Sequence, residues 1–95
     1  MWIVSMRFRS ELPEEEIIRL SEESFPKFRA VPGLRQKYYV KNAETGLVGG
    51  VYLFESEQEA RNYATGPIPA AVPQRFNVSG EVTIEVLEVV LTLNE

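Results

Sequence analysis

The chain has 95 residues, of which 44% are apolar and 25% are charged, and its net charge is −4 at pH 7. That length is enough for one domain, which we expect to span residues 1–95, and the acidic balance argues against nucleic acids and anionic membranes as partners. The sequence contains no His, Cys or Asp, which excludes a Ser-His-Asp triad, disulfides and a His- or Cys-ligated metal, and leaves Glu, Tyr, Lys or water for proton transfer.

The first part of the chain predicts a strand, a helix and a second strand. Residues 2–9 alternate with period two, which predicts a strand with one wholly apolar face, made by Trp2, Val4, Met6 and Phe8. Pro13 and the glutamates after it predict the start of a helix over residues 13–30, which Pro26 should kink or end near Ser24. Residues 34–41 predict a strand whose cationic face suits the edge of a sheet.

A hairpin and a second helix are expected next. Residues 42–46 predict a short loop, and residues 47–55 predict a strand that is apolar on both faces and therefore central in its sheet. The pair Gly49-Gly50 inside this strand marks a bulge or a close approach of backbone. The stretch from Ser56 to Glu59 fits a capping box, which predicts that a helix begins there.

The last part of the chain is less regular. Residues 66–80 contain three prolines and predict little regular structure beyond a short helix over 70–76, and long loops of this kind tend to be functional. Residues 81–93 predict a long final strand. Its apolar phase slips around Leu87-Glu88, which predicts a β-bulge and a bent second half that could cover another subunit.

The resulting order, β-α-β-β-α-β, predicts an α+β fold of the ferredoxin-like kind. In that fold a four-stranded antiparallel sheet carries two helices on one face. The other face carries enough apolar side chains to need a cover, and the sheet of a second copy is the natural one. We therefore expect a homodimer.

Two segments, residues 25–39 and residues 49–60, carry a family resemblance. The Pro-Gly-Leu turn of the first and the Gly-Gly-Val-Tyr-Leu-Phe strand of the second are its more specific parts. Together they resemble the YdhR-like branch of the dimeric α+β-barrel superfamily, small monooxygenase-type proteins related to the antibiotic biosynthesis monooxygenases. The resemblance covers residues 2–93, and residues 66–80 match poorly.

This resemblance implies a function as well as a fold. It implies a homodimer of facing sheets, with a cavity between sheet and helices in each protomer. It further implies that O₂ oxidises a small aromatic or polyketide-like substrate without a metal or flavin cofactor. Haem-degrading members of the superfamily use a His that this chain lacks. A non-catalytic homodimer that binds a small hydrophobic ligand is the alternative, and a dimer whose cavity is filled by side chains is a third reading.

Two residues are predicted to be catalytic. Arg7 is a cation on a central strand, where it could stabilise a phenolate or enolate, or pair with Glu85 or Glu88 of the last strand. Tyr52 lies among apolar neighbours, where it could donate to a substrate oxygen or be an ordinary packed aromatic.

Five further residues are predicted to bind the substrate. Trp2 could form a wall of an aromatic pocket or anchor the core. Tyr38 and Tyr39 are neighbours on the predicted strand over residues 34–41. Only one of the two can line a cavity because they point to opposite faces of the sheet. Asn62 and Arg75 flank the irregular segment and could close over a ligand, and Tyr63 should pack on the sheet.

No metal site is expected, because the glutamates at 14–16 are typical of a solvated first helical turn. The N-terminal apolar stretch is too short for a signal peptide, and no apolar run approaches the length of a membrane span. We therefore expect a cytoplasmic protein.

Overall fold

The computed structural model describes residues 1–94. Its strands are β1 (Trp2–Ser10), β2 (Leu34–Lys41), β3 (Val48–Phe54) and β4 (Val78–Glu88). Its helices are α1 (Glu14–Glu23), α2 (Phe25–Arg29), α3 (Glu57–Ala64), α4 (Pro67–Ala70) and α5 (Val72–Arg75).

The four strands form one antiparallel sheet in the order β2-β3-β1-β4. This is the strand order of the ferredoxin-like fold, so the predicted fold class is confirmed. β2 lies at an edge and β3 lies inside the sheet, as the charge and apolar patterns of the two strands predicted.

The core lies between this sheet and the helices, on the helix-facing side of the sheet. Alternation along β1 buries Val4, Met6 and Phe8 on that side. Helix α1 contributes Ile17, and the remaining buried apolar side chains come from β3, α3 and α5: Val48, Tyr52, Phe54, Ala60, Tyr63 and Val72. The buried core therefore draws on five of the nine elements, and partly buried apolar side chains from the other four pack against it, which fixes the helices over the sheet.

The predicted helix over residues 13–30 divides into α1 and α2 at Ser24. Pro26 occupies the first turn of α2, where its missing N–H group costs nothing. The Ser24 hydroxyl donates to the carbonyl of Leu20, 3.1 Å away, and so satisfies a group at the end of α1. At the start of α3 the Ser56 hydroxyl accepts a hydrogen bond from the Glu59 amide at 3.2 Å, which confirms the predicted cap.

The end of the chain differs from the prediction. β4 covers residues 78–88 instead of 81–93, and residues 89–94 form no strand. The register shift also lies elsewhere, between Arg7 and Arg9 of β1, opposite the stretch of β4 that contains Gly80. Gly80 has φ +82°, a conformation that glycine adopts freely. The apolar phase slip near Leu87 therefore marks the end of the strand and not a bulge.

The irregular segment is more helical than predicted. It forms α4 and α5 where one short helix over residues 70–76 was expected. A proline lies near the start of each helix, and proline is tolerated there because those amides have no intrahelical partner. The two helices cover the end of the core beside β4.

The face of the sheet away from the helices is partly apolar and uncovered in the single chain. Ile3, Val51 and Leu53 are half-buried on it, while Tyr38 and Leu87 are exposed. Beyond β4, three more apolar side chains are almost fully exposed: Val90, Leu91 and Leu93. The predicted second copy remains a prediction.

Candidate functional site

A cavity of about 400 Å³ lies between the sheet and the helices. That volume falls within the range of about 300–1,000 Å³ typical of small-molecule sites. Its lining is mainly apolar and aromatic, with hydroxyl and cationic groups among the apolar ones: Met6, Phe8, Ile17, Ser21, Ser24, Lys27, Phe28, Lys37, Tyr39, Gly49, Tyr52, Tyr63, Pro67, Ile68, Ala71, Val72, Arg75 and Phe76.

Three aromatic rings form one wall of the cavity. The ring centroids of Tyr52 and Tyr63 are 4.9 Å apart, and those of Tyr52 and Phe28 are 5.8 Å apart with nearly stacked planes. Tyr52 projects from β3, Tyr63 from α3 and Phe28 from α2, so the wall exists only when the three elements are packed together. Such a wall can hold a flat aromatic ligand by offset stacking.

Lys37 brings a positive charge to this aromatic wall. It lies on β2 directly opposite Tyr52, and its Nζ is 4.5 Å from the centroid of the Phe28 ring. Burial lowers the pKa of its ammonium group. Among residues 1–94 no carboxylate oxygen lies within ion-pair distance of it. The face of Phe28 therefore gives it a cation–π contact in place of an ion pair.

Two buried tyrosine hydroxyls at the cavity have no hydrogen-bond partner among residues 1–94, those of Tyr39 and Tyr63. The Tyr52 hydroxyl approaches that of Tyr63 without meeting hydrogen-bond geometry. Burial raises the pKa of all three phenols, so they are protonated donors at neutral pH. Unpaired buried donors are costly, and a ligand with acceptor oxygens would satisfy them.

Arg75 closes one side of the cavity. From α5 its guanidinium donates to the carbonyl of Leu20 at 3.0 Å and to the hydroxyl of Ser24 at 3.2 Å, and Glu23 lies 3.7 Å away. These bonds tie the irregular segment to the end of α1. Arg75 therefore lines the cavity with its Nη2 group already engaged by protein groups.

The charged side chains that line the cavity are of one sign. The charged residues in its lining are Lys27, Lys37 and Arg75, with no Glu among the lining residues of the described chain. Residues 1–94 also contain no cluster of three carboxylates placed to hold a metal ion, and no helix in this range is long and apolar enough to cross a membrane.

Of the seven predicted site residues, the structure brings three to the cavity: Tyr52, Tyr63 and Arg75. Trp2 is on the same side of the sheet but lies under α3, with the Arg61 guanidinium 5.8 Å from its ring centroid. Asn62 is exposed, accepts a hydrogen bond from Gln58, and lines a separate pocket of about 180 Å³.

Arg7 and Tyr38 lie on the opposite face of the sheet and do not reach the cavity. Arg7 follows the buried Met6 and therefore points away from the helices. Its guanidinium donates to the carbonyl of Met6 at 2.8 Å and approaches that of Gly50 at 3.5 Å. Among residues 1–94 it makes no ion pair, so the predicted pairing with Glu85 or Glu88 is wrong.

Sequence reasoning missed Lys37, and it assigned the site to Tyr38 although its neighbour Tyr39 lines the cavity. In a regularly alternating strand, Lys37 and Tyr39 would lie on the charged face of β2, opposite to the face that carries Leu34. A register shift between Leu34 and Gln36 breaks the alternation, so that Leu34, Lys37 and Tyr39 all face the helices. The pattern of the strand alone carried no signal for this shift.

A ferredoxin-like α+β fold with an aromatic, cation-lined cavity between sheet and helices defines the class of this protein. Residues 3–95 match the family model described as "Putative mono-oxygenase ydhR", and the chain belongs to that family. No protein in the curated set matches it significantly.

Solved structures share the fold at low sequence identity. A protein of unknown function from Nitrosomonas europaea, NE2512, has a TM-score of 0.76 and 18% identity, with 99% of this chain and 93% of that chain covered. SnoaB, a cofactor-independent oxygenase from Streptomyces nogalater, has a TM-score of 0.73 and 12% identity, with 99% of this chain and 97% of that chain covered. The ActVA-Orf6 monooxygenase of Streptomyces coelicolor, whose structure was solved in complex with nanaomycin D, has a TM-score of 0.67 and 19% identity, with 99% of this chain and 92% of that chain covered.

Proposed function

We propose that this protein is a monooxygenase that uses O₂ to oxidise a small aromatic or polyketide-like substrate without a metal or flavin. The observation that carries the proposal is the cavity of about 400 Å³ with its wall of Tyr52, Tyr63 and Phe28 and the Lys37 ammonium beside it. Membership of a monooxygenase family and the fold shared with a cofactor-independent oxygenase support it.

The chemistry needs binding, deprotonation and charge stabilisation from the protein. An activated CH₂ group of the substrate loses a proton to water or to a base in the cavity, and the resulting carbanion reduces O₂. One oxygen atom stays on that carbon as a carbonyl, and the other leaves as water with the two hydrogens of the CH₂ group. The residue that stabilises the anionic intermediate in this proposal is Lys37, because Arg7 is on the other face of the sheet.

Tyr52 keeps in this proposal the role predicted for it, donation of a hydrogen bond to a substrate oxygen. Its raised pKa keeps the phenol protonated, and its position between Phe28 and Tyr63 places the hydroxyl at the wall of the cavity. Tyr63, with an unpaired hydroxyl, can donate to the same oxygen or to a neighbouring one. Two donors on a developing oxyanion stabilise it more than they stabilise the neutral substrate.

We further propose that the protein works as a homodimer in which the sheets of two copies face each other. Support comes from the half-buried Ile3, Val51 and Leu53 on the open face and from the exposed apolar residues after β4. Water contact with so much apolar surface is unfavourable in a chain of this size.

Oxygen consumption in the presence of a panel of anthrones and hydroquinones tests the proposed activity. We expect O₂-dependent turnover that is lost without O₂ and falls by about 10²–10³ on Tyr52→Phe or Lys37→Met. Lys41→Met is the matched control, because Lys41 lies on the same strand but pairs with Glu14 outside the cavity. Ligand-dependent thermal stabilisation with no O₂ uptake for any compound would instead indicate the non-catalytic binding protein.

A further inference from the structure

The charged side chains that line the cavity are of the opposite sign to the net charge of the whole chain. The protein carries 14 acidic and 10 basic side chains, yet the charged residues among the described lining of the cavity are all basic. Three charged side chains drawn at random from this composition would in most cases include a carboxylate. The lining is therefore electrostatically suited to a negatively charged ligand.

We propose that the cavity selects an aromatic monoanion, with its ring against Tyr52 and Phe28 and its carboxylate or phenolate on the Lys37 ammonium. This assignment rests on the proposed function, which makes this cavity the substrate site. It narrows the substrate class from small aromatic molecules to aromatic or conjugated acids.

Lys37 is the cation that such an anion would meet. Arg75 already donates to Leu20 and Ser24, and Lys27 is exposed on α2. Lys37, in contrast, is half-buried, makes no ion pair within residues 1–94, and contacts the faces of Phe28 and Tyr52, at 4.5 and 5.8 Å from the ring centroids. A partly desolvated cation without an ion pair gains more from a bound anion than a solvated one does.

The unpaired hydroxyls supply the remaining contacts. Tyr39 lies two residues after Lys37 on the same face of β2, and Tyr63 faces the cavity from α3. Both hydroxyls are buried donors without a partner among residues 1–94. A carboxylate accepts several hydrogen bonds and donates none, so it fits a site of one ammonium and two phenols better than an amide does.

Lys37 also lies where the cavity meets a second cleft. An outer cleft of about 310 Å³ between α1, α2 and β2 adjoins the cavity. The two share the residues Ser21, Phe28, Lys37 and Tyr39. An anion that moves from the outer cleft inwards therefore passes the Lys37 ammonium, which makes Lys37 a specificity-determining residue.

Calorimetric titration with 2-naphthoate and with its neutral isostere 2-naphthamide at pH 7 tests the inference. The two compounds have the same ring and nearly the same shape and differ in charge. We expect naphthoate to bind about tenfold more tightly or better, as a charge-assisted contact should give. Lys37→Met should abolish this preference while it leaves naphthamide affinity nearly unchanged, Lys37→Arg should retain it, and Lys41→Met should behave as the wild type.

Equal or tighter binding of naphthamide by the wild-type protein, or binding of neither compound, would overturn the inference. So would a preference for naphthoate that survives in Lys37→Met. The outcome is separable from that of the proposed function, because charge selection without O₂ consumption refutes only the activity. Turnover of neutral anthrones without charge selection refutes only the inference.

Discussion

The ring of Tyr52 lies over the backbone of Gly50, two residues earlier on the same strand. A Cβ atom at Gly50 would stand 2.5 Å from the Tyr52 hydroxyl oxygen and 2.6 Å from the ring carbon that bears it. The absence of a side chain at residue 50 is thus what allows the tyrosine to lie flat against the sheet and form the cavity wall.

Gly50→Ala is expected to displace the Tyr52 ring and to lower the free energy of unfolding by about 1–3 kcal/mol, as overpacking does. The ring is buried, so it cannot swing into solvent to relieve the clash. Urea denaturation measures the effect. In a protein that already carries Tyr52→Ala, the further change Gly50→Ala should no longer lower the free energy of unfolding. If the double mutant instead loses the sum of the two single-mutant effects, the Tyr52 ring is not what excludes a side chain at residue 50.

Gly49→Ala should be more damaging than Gly50→Ala. A Cβ atom at Gly49 would overlap the carbonyl oxygen of Met6 on the neighbouring strand, which is backbone and cannot move without separating β1 from β3. We expect a loss above that of Gly50→Ala in the same urea experiment. Removal of the Tyr52 side chain should not rescue it, and rescue would show that the ring and not the backbone is the obstacle.

Tyr63→Phe is expected to stabilise the ligand-free protein by about 1 kcal/mol, because it removes a buried hydroxyl without a partner. The same change should weaken binding of 2-naphthoate, because the Tyr63 hydroxyl would no longer donate a hydrogen bond to its carboxylate. Thermal unfolding with and without 2-naphthoate measures both effects. Tyr38→Phe is the control, since that side chain is 57% exposed on the other face of the sheet. A destabilised Tyr63→Phe protein would indicate that the hydroxyl is satisfied.

Lys37→Met is expected to stabilise the protein at pH 7, by an amount that shrinks as the pH rises towards 10.5, the ordinary pKa of a lysine. Burial lowers the folded-state pKa of Lys37 below that value. Between the lowered pKa and the ordinary one the unfolded chain binds more protons, so stability rises with pH in the wild type and this rise is absent from the variant. Denaturant unfolding of both proteins at several pH values from neutral upwards measures the difference.

Lys41→Met should show the opposite sign in the same experiment. Its hydrogen bond to Glu14 raises the pKa of Lys41, so the pair contributes stability that is fully present below pH 10.5 and lost above it. The variant should therefore be slightly less stable than the wild type at pH 7. Equal pH dependence of the two lysine variants would refute the environment assigned to Lys37.

Tyr38→Glu is expected to dissociate the proposed dimer without unfolding the protomer. Tyr38 is exposed in the single chain, and a carboxylate there would be buried without a partner between two facing sheets. Sedimentation at micromolar concentration should give twice 10.8 kDa for the wild type and 10.8 kDa for the variant. Ile18→Glu, on the outside of α1, should leave the mass unchanged. A folded wild-type monomer would refute the dimer.

Much of the fold could be predicted because the alternation of a strand and the residues that begin or end a helix are local features of the sequence. The alternation of residues 2–9, the prolines at 13 and 26 and the cap at Ser56 each fixed an element within a few residues. The end of β4 could not be predicted in this way. Val89 still hydrogen-bonds to Met1, but apolar residues continue beyond the last residue paired with β1, and hydropathy does not show where pairing stops.

The sequence by itself determined the order of the four strands and of the helical regions between them, the absence of His and Cys side chains, the central position of β3 and the place of Tyr52 on that strand. Only the tertiary structure decided which faces meet. One register shift in β2 turned Lys37 and Tyr39 towards the helices, while strict alternation in β1 turned Arg7 away from them. Side-chain direction in a strand depends on register with its neighbours, and that register is set by contacts between segments far apart in the chain.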